Sequence, residues 1–159
     1  MDNDELLWTC YHEAGHALMA LINSLPLQKM ELRETHGSTK LAWWHCYFPW
    51  NKSRTDYMRN LELVLAGPAG ELLIHDFDDN TRACICEDNY QALRLARVHG
   101  FQLREIRRRV THLLREHKVL VATVAQKLYV KKVLEREEVE DIARQYFEAR
   151  PELFPLIRR

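Results

Sequence analysis

The sequence is poor in the residues that interrupt regular structure: 5 Gly and 5 Pro among 159 residues exclude collagen-like, low-complexity and linker-rich chains. It also lacks a long apolar run. The longest, 119–125, falls far short of the roughly 20 residues a spanning helix needs. The N-terminus carries Asp2, Asp4 and Glu5 where a signal peptide is basic. We therefore expect a soluble, cytoplasmic protein with no membrane insertion. Net charge is absent too, since 23 Lys plus Arg balance 23 Asp plus Glu, which removes bulk basicity as an argument for nucleic acid. Four cysteines (Cys10, Cys46, Cys84, Cys86) without a secretory leader read as reduced thiols rather than a disulfide framework.

What is present is a chain of single-domain length, 47% hydrophobic and 29% charged, a balance that allows a buried core and leans toward helix. We expect one domain over 1–150 and a short tail over 151–159, bounded by Pro151 and Pro155. Charge is unevenly spread: residues 1–93 are net −7 and 94–159 net +7.

Apolar positions Leu7, Cys10, Tyr11, Ala14, Leu18, Leu21 and Ile22 recur at three- and four-residue steps, which predicts an amphipathic helix ended by Pro26. The runs 29–33 and 41–48 flank a turn-like Thr35-His36-Gly37-Ser38 and predict a small hairpin or sheet edge. Tyr57, Leu61, Val64, Leu65 and Leu72 continue a helical stripe, with a kink or restart expected at Gly67-Pro68. Helical patterns follow at 88–98, at Leu103 to His117, through Val121 to Leu128, and through Val139 to Phe147. The expected class is mainly α (α+β), a helical domain with a small β element after the first helix.

Within that first helix lies His12-Glu13-Ala14-Gly15-His16. A four-residue step puts both imidazoles on one face, able to reach one metal ion. Glu13 sits about 100° around the helix, outside the ligand set but near a metal-activated water, where it can act as general base. A half-buried histidine is more often hydrogen-bonded than ligating, yet this five-residue pattern on an amphipathic helix favours metal. Hydrolytic zinc usually takes three protein ligands. Spacing alone leaves His75, Asp76, Asp78, Asp79, Cys84, Cys86, Glu87 and Asp88 as candidates for the third.

Three blocks, in order, resemble a known family: Tyr11-His12-Glu13-Ala14-Gly15-His16-Ala17-Leu18, Leu65-Ala66-Gly67-Pro68-Ala69-Gly70-Glu71, and Glu87-Asp88 with Ala92 and Leu95-Ala96-Arg97. Together they are similar to the peptidase domain of the FtsH family of membrane-anchored AAA zinc proteases, over nearly the whole chain. The resemblance implies His12, His16 and Asp88 as zinc ligands, Glu13 as the catalytic base, and Glu71 as a partner that orients a ligand histidine. Simpler readings stand beside these: Asp88 as a helix N-cap with Gln91 completing a capping box, and Glu71 as a solvated helix position. The chain departs from the family in three ways. It has no membrane-spanning run and no phosphate-binding loop, because Gly37-Ser38-Thr39-Lys40 lacks the earlier glycine. The stretch around 99–103 is shorter, and Pro68 stands where the family usually has arginine.

These residues imply a stand-alone zinc endopeptidase of the HEXXH type, cutting peptides or unfolded proteins with no ATP-driven unfolding of its own. A separate ATPase or a homo-oligomer is a possible partner. A non-catalytic zinc-containing relative that binds a partner is the alternative. An extended substrate is expected along the 41–48 edge, with Trp43 and Trp44 as pocket walls or core packing. Cys84-x-Cys86 reads as ordinary loop or core cysteines. The basic run of Arg104, Arg107, Arg108, Arg109, Arg115 and Lys118 reads as a solvated face, with no helix-turn-helix or base-stacking motif to suggest nucleic acid.

Overall fold

The structure is a computed structural model that describes residues 3–35, 39–46, 53–74 and 87–153, with side chains over 5–32, 53–74 and 87–153. The elements run α1 (Asn3–Ile22), β1 (Leu27–Thr35), β2 (Thr39–Cys46), α2 (Arg54–Glu71), α3 (Glu87–His99), α4 (Leu103–Glu116), α5 (Lys118–Lys131), β3 (Val133–Glu135) and α6 (Arg136–Glu148). The fold is mainly helical, with a small antiparallel sheet of order β2-β1-β3. Among the described residues no helix is long and apolar enough to cross a membrane.

Local chemistry sets the element boundaries. At the end of α1, Ser24 takes the left-handed conformation (φ 53°). The Leu25 amide then reaches back to the Ala20 carbonyl at 2.7 Å and the Ser24 amide to Leu21 at 3.1 Å. This pair of bonds satisfies carbonyls that the helix leaves open before Pro26 turns the chain away. α2 starts with a capping box, Ser53 accepting from the Asp56 amide while the Asp56 carboxylate accepts from the Ser53 amide. The hairpin pairs Thr35 with Thr39 and Glu31 with Trp43.

Two features differ from the sequence reading. The helix does not restart at Gly67-Pro68, one of the two outcomes expected there; α2 continues to Glu71. Pro68 falls in its last turn, where the missing amide frees one carbonyl near a terminus that is already short of partners. The other is β3, which pairs antiparallel with β1 through Met30 and Leu134. Both side chains are fully buried. Three residues are too few for strand alternation to register in a sequence.

α1 is the central element, packed between α2 on one side and α5 on the other, with both hairpin strands also against it. At the α1–α2 seam a methyl group on Gly15 would lie 2.1 Å from the Ala66 carbonyl oxygen, and one on Gly70 would lie 2.3 Å from that of Tyr11. Only glycine lets these two backbones meet, and that close approach brings the functional side chains together.

Candidate metal centre

His12 and His16 project from α1 toward α2 and α3, as one helical turn requires. Their Nε2 atoms are 3.0 Å apart. Asp88, in the first turn of α3, places Oδ2 2.8 Å from His12 Nε2 and 3.2 Å from His16 Nε2. These three side chains form a group able to hold a metal ion. Ligands about 2.0–2.1 Å from a tetrahedral ion sit roughly 3.3 Å apart, so the triangle closes to metal dimensions with shifts of a few tenths of an ångström.

The other ring nitrogens decide what the triangle presents. His16 Nδ1 lies 2.8 Å from the Leu63 carbonyl oxygen, which can only accept, so this nitrogen donates. His12 Nδ1 donates to the Glu71 carboxylate at 2.6 Å. In the neutral rings both Nε2 atoms therefore carry lone pairs, and these converge with a carboxylate oxygen on one point. Three such acceptors at hydrogen-bond distance repel one another unless something positive sits between them. With a proton as the only cation, the histidines divide unequally. Burial disfavours charge on His12, but hydrogen bonds to Asp88 and Glu71 hold its pKa well above the ordinary 6.5. His16 is more deeply buried, and burial pulls its pKa below that value despite the bond to Asp88. Burial also opposes ionisation of Asp88, yet its bonds to both imidazoles keep its carboxyl well below the usual carboxylate range, and the positive end of α3 adds to this. The donor set of two neutral imidazoles and one carboxylate suits a divalent ion of the zinc type.

Glu13 is 5% exposed, and among the described residues its Oε2 has no hydrogen-bond partner. Burial, opposed by His12 and reinforced by the charges of Asp88 and Glu71, pushes its carboxyl up to about 8. A buried carboxylate oxygen without a partner beside a cation-binding triangle is what a proton acceptor for a bound water requires. Exposure is uneven: the Glu71, Asp88 and His12 side chains retain 36%, 22% and 15% of their surface against 7% for His16.

The structure thus brings His12, Glu13, His16, Glu71 and Asp88 together. Asp88 is the second residue of α3 and faces the histidines rather than capping the helix, while Gln91 bonds to Glu87. Glu71 contacts His12 and is not merely solvated. Of the other third-ligand candidates, Glu87 is exposed at the start of α3; His75, Asp76, Asp78, Asp79, Cys84 and Cys86 lie outside the described residues, as do the side chains of Trp43 and Trp44. Sequence reasoning missed the Leu63 carbonyl, for which no side-chain signal exists, and Gly67, which it treated as a helix breaker. It also missed two arginines of the basic run. Arg107 donates to Oδ1 of Asn89, the neighbour of Asp88, at 2.9 Å, and Arg109 pairs with Glu62, which also accepts from Asn23 on the far side of the seam.

No protein-family model matches the chain, and no curated protein matches its sequence significantly. The likeness to the FtsH peptidase domain therefore rests on the three motif blocks alone.

Proposed function

We propose that this chain is a zinc-dependent endopeptidase of the HEXXH type that hydrolyses peptide bonds in peptides or unfolded proteins. The observation that carries the reading is the convergence of three lone pairs, from His12, His16 and Asp88, with both remaining ring nitrogens committed to Leu63 and Glu71. His12, His16 and Asp88 would hold the ion. Zinc bound there supplies Lewis acidity, lowering the pKa of a water toward about 7 and polarising the scissile carbonyl. Glu13, buried beside His12 with a carboxylate oxygen that has no hydrogen-bond partner among the described residues, would accept the proton of the attacking water and pass it to the leaving amine. Glu71 fixes the His12 tautomer and raises its strength as a ligand. Among the described residues β2 is the outer strand of the sheet and lies against α1, and an extended substrate would pair with that edge.

The deciding experiment measures zinc content and cleavage of casein or a peptide by the wild type and Glu13→Gln. We expect about one zinc per chain in both, and cleavage by the wild type only, with a loss of at least about 100-fold on substitution. A wild type that binds zinc but cuts nothing would favour a partner-binding relative of the peptidases; a wild type without zinc would remove the reading altogether.

A further inference from the structure

Three residues on successive turns of α2 (Leu63, Gly67 and Glu71) face the two histidines of α1. The Leu63 carbonyl holds His16 Nδ1 at 2.8 Å and the Glu71 carboxylate holds His12 Nδ1 at 2.6 Å. Gly67 lies between them. A methyl group there would stand 2.4 Å from His16 Nε2, 2.5 Å from His12 Nε2 and 2.7 Å from His12 Cε1, about 1 Å inside ordinary contact.

We infer that Gly67 is a positioning residue of the metal centre: its bare Cα is the floor on which the two Nε2 atoms converge. The inference deepens the zinc reading and rests on it. The three glycines of the seam divide by what a methyl would strike. At Gly15 and Gly70 it meets backbone carbonyls of the opposite helix, so a side chain there forces the helices apart and damages the fold. At Gly67 the three nearest atoms it meets are all imidazole atoms of His12 and His16. Those rings can swing aside, but retreat breaks the bonds to Leu63 or Glu71 and turns the Nε2 lone pairs away from Asp88. The chain still folds while the chelate is lost.

The test compares wild type, Gly67→Ala and Gly15→Ala. Zinc affinity is read by competition, the visible spectrum after Co²⁺ loading reports ligand geometry, and the melting temperature is read in the metal-free protein. Gly67→Ala is expected to weaken zinc at least about 10-fold, to shift or abolish the tetrahedral cobalt bands, and to melt modestly below the wild type; Gly15→Ala is expected to melt far lower. A second pair, His12→Ala/His16→Ala with and without Gly67→Ala, removes the rings that the methyl would strike. In that background Gly67→Ala should leave the melting temperature unchanged or raise it, even if the single variant fails to fold. Wild-type zinc affinity and cobalt spectrum in Gly67→Ala would overturn the inference, as would an equal loss of melting temperature in both backgrounds. If the wild type binds no metal, the zinc reading fails on its own, and the metal-free melting pair still reads whether Gly67 accommodates the rings.

Discussion

The α1–α2 seam and the α4–α6 block are built on opposite plans. In the block, large apolar side chains fill the interior: Leu114, Leu120, Val121, Leu128 and Phe147 are all nearly or fully buried, each contributing about 1.5–3 kcal/mol by leaving water. Charge stays outside, in pairs such as Arg136 with Glu140. In the seam the contact is made by Gly15, Ala66 and Gly70, while Glu13 and His16 are buried as deeply as leucines elsewhere. The seam forgoes bulk so that two backbones can approach and hold polar atoms at fixed separations. Both regions belong to one hydrophobic core; they differ in whether small or large side chains make the contact.

That division can be broken or sharpened by substitution. The largest effect should come from the block: Leu114→Ala removes a fully buried side chain and should cost about 2–5 kcal/mol in denaturant unfolding with zinc stoichiometry unchanged. Loss of metal from this variant while it remains folded would merge the two regions. In the seam, Glu71→Ala should leave the metal-free unfolding midpoint almost where it was and weaken zinc binding about 10- to 100-fold, measured by chelator competition; unchanged affinity would return Glu71 to the role of a solvated position.

The smallest effect concerns His117, which links α4 to α5, is fully buried, and packs edge-on against Tyr146 and Phe147. Neither ring nitrogen has a hydrogen-bond partner among the described residues. Burial, slightly offset by Glu116, lowers its pKa from 6.5. Below pH 6.5 the unfolded chain then binds the proton more readily than the folded one. The stabilising contribution is complete above pH 6.5 and is lost as pH falls toward the folded value, with a slope of at most about 1.4 kcal/mol per pH unit. Between pH 8 and 5 the unfolding free energy of the wild type should fall relative to that of His117→Leu as pH is lowered, and parallel curves would remove His117 from the balance.

The helices were legible because each buries one stripe, and the hairpin because alternating runs flank a turn. The histidine pair and Glu13 could be read from local spacing, since one helix carries all three. Asp88 could not be chosen from eight candidates by spacing; only the family resemblance singled it out, because its approach to His12 depends on how α3 packs on α2. The Leu63 carbonyl is invisible to any reading of side chains. Gly67 and Pro68 signal a break in isolation, and buried packing against α1 overrides that signal. Arg107 and Arg109 look like surface charge until α4 is laid beside α3 and α2.

α3 is tied down near both ends. Its C-terminal end is anchored to the start of α2, where the Tyr57 and His99 rings stack at 3.7 Å and Arg54 donates to the His99 carbonyl oxygen at 3.1 Å. Asp88 hangs at the other end, about 16 Å away at 1.5 Å per residue. Arg107 on α4 donates to Asn89 at 2.9 Å, so the residue next to Asp88 is tied to α4 as the far end of α3 is tied to α2.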